Sequence, residues 1–323
     1  MPARFAPDHG LLTRVARMSY EVGMTHKEIA EALGVSRSTA TRLVMEARQQ
    51  GIVEITIHGP EALFADLERE AADALALEEV WLAPEIPGDP ARTLQAVAQV
   101  AGRCLARHIA DARVVAVGLS ATVARAVASI PATTRTRADI VPAAGGWGGP
   151  TLGLNPPEVA RDLAARTGGR PYNLPAPVLV TGAAEAEGLR RLSDVAQALD
   201  LARRADVAVL GLGGYDWTAS ALGRAVMPLE QEELRVAGAV GDVSGRFFDA
   251  TGAAIRGTLD RRVVGLTLAE LHHPTTRIII ASGQAKTDAL AGALAGQLLT
   301  VLVTDTGTVN ALLLRLKPDR SAP

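Results

Sequence analysis

Hydrophobic positions along this 323-residue chain change their spacing at recognisable points, and those changes predict its elements. Leu11, Leu12, Val15 and Met18 recur at helical intervals, which predicts a first helix over 9–22 ended by Gly23. Ile29, Ala30 and Leu33 mark a second short helix after Thr25, whose hydroxyl can cap it together with Glu28 three residues on. Gly34 permits a tight turn, because a residue without Cβ accepts positive φ at little cost. Ser36 then caps a third helix running to about Gln50, with Leu43, Val44 and Ala47 on its inner side. Gly51 breaks that pattern; IVEITI at 52–57 alternates like a short strand, and HGP at 58–60 reads as a linker. Leu63, Leu67, Ala71 and Leu75 line one side of an amphipathic helix at about 61–77, suited either to pairing with a partner or to simple packing.

From residue 78 onward, apolar strand-like runs alternate with helical ones. EVWLAP, RVVAVGL, ADIVP, ADVAVLG, RIIIAS and LLTVLVTD read as strands, each followed by a helical stretch or by glycines. This alternation predicts an α/β body with a mostly parallel, Rossmann-like sheet. Ligands of such sheets bind beyond the C-terminal strand ends. The glycines and hydroxyls of the chain gather there, at Gly118–Thr122, Gly145–Gly149, Gly211–Gly214, Ser282–Lys286 and Thr304–Thr308. The expected organisation is a helical helix-turn-helix domain over 1–58 and an α/β domain over 59–323.

The chemistry of the third helix fits DNA. Ser36, Arg37, Ser38, Thr39, Thr41 and Arg42 crowd its first two turns, with Thr25 at the cap before it. Hydroxyls, guanidinium groups and a helix N-terminus can meet phosphates and base edges, and two short helices around a glycine turn place the second in the major groove. Net charge is −2, and residues 1–60 carry seven Arg/Lys against six Asp/Glu, so bulk positive charge cannot drive binding. A specific reader of double-stranded DNA with a few placed arginines, acting as a dimer or larger so that modest half-site contacts add, is expected instead.

The body offers weaker signals. GLSATVARAV sets glycine, serine and threonine between a strand and a helix, the arrangement of an anion site or of an ordinary turn. The stretch lacks a P-loop or dinucleotide fingerprint, and GLGG at 211–214 is too short for one. Only three lysines occur, Lys27, Lys286 and Lys317; Lys286 sits at a strand-to-helix junction, facing a bound anion or simply solvent. Asp206 beside Arg203 and Arg204 reads as a solvated helix end, and His272 and His273 as surface residues. No metal-ligand spacing, catalytic triad or cofactor motif stands out. The single cysteine, Cys104, falls in a helical stretch as inert core. No apolar run is long enough to span a membrane and MPARFAPDHG lacks the apolar stretch of a secretory signal, so a cytoplasmic protein is expected.

Three stretches carry a family resemblance: GAVGDVSGRFFDATG at 238–252, LPAPVLV at 174–180 and IIIASGQAKTDALAGALAGQLLTVLVTDTGTVNALL at 278–313. With the N-terminal LLTRVARMSYEVGMTHKEIAEALGVSRSTATRLVMEARQQGIVEI, the chain resembles the SorC-type (SorC/DeoR) sugar-responsive transcriptional regulators over nearly its whole length. The resemblance implies a body with the sugar-isomerase/CoA-transferase-like fold that binds a small sugar or sugar-phosphate effector without turning it over. It places the family's phosphate loop, a Ser-Trp-Gly-x-Thr run, on Gly118, Leu119, Ser120, Ala121 and Thr122, where only Thr122 keeps its type. It places a glycine pair on Gly145 and Gly146, preceded by Ala144, which excludes covalent capture of an aldehyde there. Gly213 in the GLGG turn, Asp242 in the GAVGD block and Lys286 complete the implied effector set. The competing class is a sugar-phosphate isomerase or deaminase fused to a DNA-binding head, which needs a positioned acid or base. The acidic cluster of such enzymes is absent, the comparable stretch reading Gly238-Ala239-Val240-Gly241-Asp242.

Overall fold

The computed structural model describes residues 8–53, 63–147, 155–214, 222 and 225–316. The chain divides into two compact units, 1–62 and 63–323. The strand expected at 52–57 and the linker at 58–60 lie largely outside the described residues.

The N-terminal unit holds α1 (His9–Tyr20), α2 (His26–Leu33) and α3 (Arg37–Gln49). Leu12, Val15 and Ala16 of α1, Ile29 and Ala30 of α2, and Ala40, Leu43, Val44 and Ala47 of α3 share one core. Full burial of each large member stabilises such a unit by about 1.5–3 kcal/mol relative to exposure.

The second unit begins with α4 (Ala65–Leu75), β1 (Glu79–Ala83) and α5 (Pro90–Ile109). It continues through β2 (Val114–Val117), α6 (Ala121–Ala128), β3 (Asp139–Pro142), α7 (Pro156–Thr167) and the short β4 (Arg170–Pro171). α8 (Ala183–Arg191), α9 (Ser193–Arg203), β5 (Val207–Gly211) and β6 (Gly213–Gly214) follow. Then come α10 (Pro228–Val236), β7 (Ala239–Val243), β8 (Arg246–Asp249), α11 (Thr258–Arg262) and β9 (Thr276–Ile280). A 3-10 turn at Gln284–Lys286, α12 (Thr287–Ala295), β10 (Val301–Asp305) and α13 (Thr306–Leu316) complete it.

Seven strands form one parallel sheet in the order β1-β10-β9-β5-β2-β3-β4. Its strands β5 and β10 are buried at every position, covered on both faces, which is why they read as largely apolar runs. Val207 and Val209 of β5, Ile278 and Ile280 of β9, and Val301 and Val303 of β10 face a core shared with α5, α6 and α7. Ala208, Leu210, Ile279 and Leu302 face the opposite core, with α4, α9, α12 and α13. Cys104 is fully buried in α5, and burial pushes its thiol far up, as expected of inert core.

Chain order reverses between neighbours β2 and β5, since β2 leads outward to β3 while β5 lies on its other side. The loops after these two strands therefore lead to opposite sides, and the crevice in which sheets of this kind take ligands is expected at their C-terminal ends. A three-stranded antiparallel sheet, β6-β7-β8, stands at this point. Its β7–β8 turn has Ser244 at φ 53° and Gly245 at φ 82°, positive at both central positions, as a two-residue type I′ turn requires.

Candidate functional site

The helix-turn-helix is built from local caps. Thr25 Oγ1 accepts the Glu28 N–H at 3.3 Å, and the Glu28 carboxylate accepts Thr25 N–H at 2.7 Å and its hydroxyl at 2.8 Å. These bonds hold the Glu28 carboxyl below its ordinary range. Gly34 adopts φ 64°, the left-handed conformation that ends α2. Ser36 Oγ accepts Thr39 N–H at 3.1 Å and lies 2.8 Å from the hydroxyls of both Ser38 and Thr39.

These bonds sort the expected DNA contacts. Thr25 is engaged in the capping box. Thr41 donates to Arg37 O at 3.0 Å and lies 3.1 Å from His26 Nδ1, so its hydroxyl ties α3 to the start of α2. Arg37, Ser38 and Arg42 stand exposed on the outer face of α3. Met45, 55% exposed one turn beyond Thr41, shares that face. Sequence reasoning missed Met45, although its position between the inward Val44 and Ala47 marks it as outward.

The crevice of the second unit is lined by the turns after β2 and β5. Gly118 N–H donates to Val209 O at 2.9 Å, and Leu119 N–H donates to Ser244 Oγ at 3.1 Å. A Cβ on Gly118 would overlap that Ser244 hydroxyl. Ser120 Oγ accepts from Thr122 N–H at 3.1 Å and Val123 N–H at 3.3 Å, capping α6. Its side chain occupies the space beside Gly211, where any Cβ would collide with it.

Gly213 pairs with Asp242 across β6 and β7, and the Asp242 carboxylate fills the place of a side chain on Gly213. Asp242 Oδ2 accepts Gly245 N–H at 3.0 Å. Burial pushes this carboxyl up, against the pull of the Gly245 N–H and the Lys286 charge. Lys286 Nζ donates to Leu212 O at 2.9 Å, so the ammonium is held at the end of β5 beside Asp242. Gly118, Ser120, Thr122, Gly213, Asp242 and Lys286 thus belong to turns that meet around this crevice. Gly145 and Gly146 serve differently: their N–H groups donate to Val264 O and Ala176 O, both at 2.9 Å, and a Cβ on Gly145 would meet the Ala176–Pro177 backbone. The pair lets chain segments approach closely rather than offering donors to a ligand.

Two contributors were not foreseen. Asp305, buried at the end of β10, accepts Ser282 Oγ at 2.8 Å, Gly283 N–H at 3.2 Å, and the hydroxyl and N–H of Thr308 at 2.7 and 2.8 Å. It thereby fixes the turn, with Gly283 at φ 99°, that carries Lys286. Arg246, fully buried, donates to Leu266 O, Val263 O, Gly265 O and the Asp260 carboxylate, and so anchors the segment behind the β7–β8 hairpin. Arg246 acts through partners distant in sequence, and Asp305 joins the nearby Thr308 to the distant Ser282 and Gly283, a link that no local pattern signals.

Asp206 is also not the solvated helix end that its neighbours suggest. It accepts Arg113 N–H at 2.8 Å and Val114 N–H at 3.0 Å, tying the start of β2 to that of β5. Burial would raise its carboxyl, but the Val114 and Arg113 bonds outweigh it and hold it low. At this opposite end of the sheet opens a cleft of about 1010 Å³, lined by Arg113, Arg135, Arg137, Arg170 and Arg204 among others. Arg113 and Arg170 pair there with Asp206 and Asp139 and remain largely in water, so the cleft lacks the buried convergent polar groups of a ligand site. Among the described residues no group of His, Cys, Asp and Glu is arranged to hold a metal, and no helix is long and apolar enough to cross a membrane.

A capped DNA-reading helix followed by a parallel-sheet body with a crevice at its switch point defines a one-chain transcriptional regulator with a ligand-binding domain. Comparison with known proteins agrees. Residues 62–314 match the family described as "Putative sugar-binding domain", and residues 9–65 match a Crp-like helix-turn-helix domain. The erythritol catabolism regulatory protein EryD of Brucella abortus is 30% identical over 310 residues, covering 95% of this chain and 97% of its own. The transcriptional regulator LsrR of Klebsiella pneumoniae is 30% identical, covering 94% and 92%. The full-length sorbitol operon regulator SorC from Klebsiella pneumoniae superposes with a TM-score of 0.72 at 25% identity, over 94% of this chain and 98% of its own. The chain belongs to the SorC-type family of sugar-responsive transcriptional regulators.

Proposed function

We propose that α3 reads an operator through Arg37, Ser38 and Arg42, and that a sugar-like effector bound among Gly118–Thr122, Gly213, Asp242 and Lys286 alters operator affinity. The boundary between the two functions falls at about residue 58, with 59–323 as effector domain. The observation that carries this reading is the placement of Lys286: its ammonium is held on Leu212 O at the end of β5, beside the Asp242 carboxylate, at the switch point. Two of the similar regulators are named for the polyols erythritol and sorbitol, which suits an effector rich in hydroxyls. The chain acts as a homo-dimer or homo-tetramer in the cytoplasm and does not turn its effector over. Against catalysis stands the engagement of Asp242 and Lys286 with the fold itself, Asp242 with Gly245 N–H and Lys286 with Leu212 O.

Thermal stabilisation against a panel of sugars, polyols and sugar phosphates, with product analysis of the same mixtures, tests the proposal. A ligand held only by the native state raises the melting temperature. Stabilisation without turnover supports a sensor; turnover supports the isomerase or deaminase alternative.

A further inference from the structure

We propose that the effector of this chain is an uncharged polyhydroxy compound, a free sugar or polyol, and that the Ser120 hydroxyl occupies the place a phosphate oxygen would take at the start of α6. The inference rests on the crevice being the effector site.

A phosphate at a helix N-terminus is bound by converging N–H groups that have no acceptor of their own. Here the fold has already supplied acceptors for most of them. Gly118 N–H is bonded to Val209 O and Leu119 N–H to Ser244 Oγ. The two N–H groups inside the first turn of α6, of Thr122 and Val123, both point at Ser120 Oγ. Among the described residues, only Ser120 and Ala121 keep loop N–H groups without a protein acceptor. The Ser120 side chain is seated against Gly211, whose missing side chain makes the room for it. An intramolecular cap of this kind is always present, so a phosphate must displace it before the Thr122 and Val123 N–H groups can bind it.

The charges point the same way. Among the described residues Lys286 is the cation beside Asp242, and its charge already acts on that carboxyl. A phosphate ester brings a charge of about −1.5 to −2 and only acceptor oxygens, and ionising Asp242 beside it becomes harder still. The buried guanidinium groups of Arg246 and Arg262 are turned into the fold, toward Asp260, Glu230 and backbone carbonyls. A hydroxyl, by contrast, both donates and accepts. Asp242 supplies an acceptor for it, and Lys286 a donor.

An independent observation points to a missing partner at the same wall. Trp147 Nε1 is buried and has no hydrogen-bond acceptor among the described residues. Trp147 packs on Ala144, Val178 and Val263, the small cluster that also receives Leu119 from the loop. A neutral indole N–H left without an acceptor is costly unless something accepts from it, and a ligand hydroxyl or ring oxygen does so without adding charge.

The test uses the full-length chain and matched pairs, each a polyol or sugar with its terminal phosphate ester, from tetrose to hexose size. Inorganic phosphate is a further probe. Calorimetry of the wild-type chain should show at least about tenfold tighter binding of the uncharged member of the best pair, and no thermal stabilisation by inorganic phosphate. Ser120→Gly frees the N–H groups of Thr122 and Val123 and should narrow or reverse that preference; glycine is itself a tolerated cap, so the chain should fold. Ser120→Ala, which also lacks the hydroxyl, provides a second variant. An ester that binds wild type more tightly than its free partner overturns this inference and leaves the effector reading standing. Binding of neither class overturns both. Unchanged discrimination in folded Ser120→Gly and Ser120→Ala chains contradicts the role given to Ser120.

Discussion

The Ser244 hydroxyl accepts the Leu119 N–H at 3.1 Å, across 125 residues of chain. This one bond joins the hairpin that carries Asp242 to the loop that begins α6, so two walls of the crevice hold each other in place. Ser244→Ala leaves the Leu119 N–H without its acceptor and should cost about 1–3 kcal/mol of stability. Effector affinity should fall with it, by about tenfold, while DNA binding in the absence of effector is unchanged. Denaturant unfolding and ligand calorimetry on one preparation check both; a stable variant with normal affinity would show that the bond does not hold the crevice.

Arg37 and Arg42 should be separable from the crevice. Each stands exposed on α3, and a well-placed arginine contact to a base is worth about 1–3 kcal/mol. Arg37→Ala and Arg42→Ala should each weaken operator binding by about tenfold or more, as read by fluorescence anisotropy, with the effector's thermal shift preserved. Loss of both properties would mean that the two units do not act independently.

Asp305 should position Lys286 without touching the ligand. Asp305→Asn disturbs the bonds to Ser282, Gly283 and Thr308 that shape the Lys286 turn. Effector affinity should fall by about tenfold, and adding Lys286→Ala should cause little further loss, because coupled residues are not additive. Additive losses in the double variant would place the two residues in separate roles.

Asp242 predicts an opposed change in stability and binding. Burial holds its carboxyl above the ordinary value, so the native state binds this proton more tightly than the unfolded chain does. Its ionisation therefore costs stability as pH rises from the ordinary carboxylate value through the raised one, and the cost is absent below that window. Asp242→Asn cannot ionise. Its melting temperature should exceed that of wild type by more at neutral pH than in the ordinary carboxylate range, while effector affinity falls. A melting difference that is constant with pH would contradict the assignment.

Arg246 is the structural counterpart. Its guanidinium bonds four backbone carbonyls, of Asp260, Val263, Gly265 and Leu266, and the Asp260 carboxylate while fully buried. Arg246→Leu strands those acceptors and should cost about 3–5 kcal/mol, since removing one partner of a buried ionic network leaves the rest unpaired. Denaturant unfolding of the effector domain reads the loss directly.

What the sequence made legible follows from how local each determinant is. The Thr25–Glu28 box, the Gly34 turn and the Ser36 cap are all set by residues within three positions of each other, and each appears where it was expected. The strands β5, β9 and β10 are apolar runs because both their faces are covered. The small sheet was harder to see. β6 has two residues, β7 includes Gly241, and Gly213 pairs with Asp242 across a long excursion of chain. Asp206 misled for the same reason: its neighbours in sequence are arginines, but its partners are the N–H groups of Arg113 and Val114. Ser120 was readable as a glycine-to-serine departure from the family's loop. That its hydroxyl caps α6 depends on where Gly211 lies, and that only the folded chain displays.

The most direct measurement is the affinity of the full-length chain for a duplex selected from a random pool, with and without the compound that most stabilises it. A regulator whose crevice senses that compound should change its DNA dissociation constant by about 5–150-fold, the span of ordinary allosteric coupling. The compound should be recovered unchanged, and the coupling should vanish in Lys286→Ala while basal DNA binding persists. An unaltered dissociation constant together with conversion of the compound to a product would contradict the account.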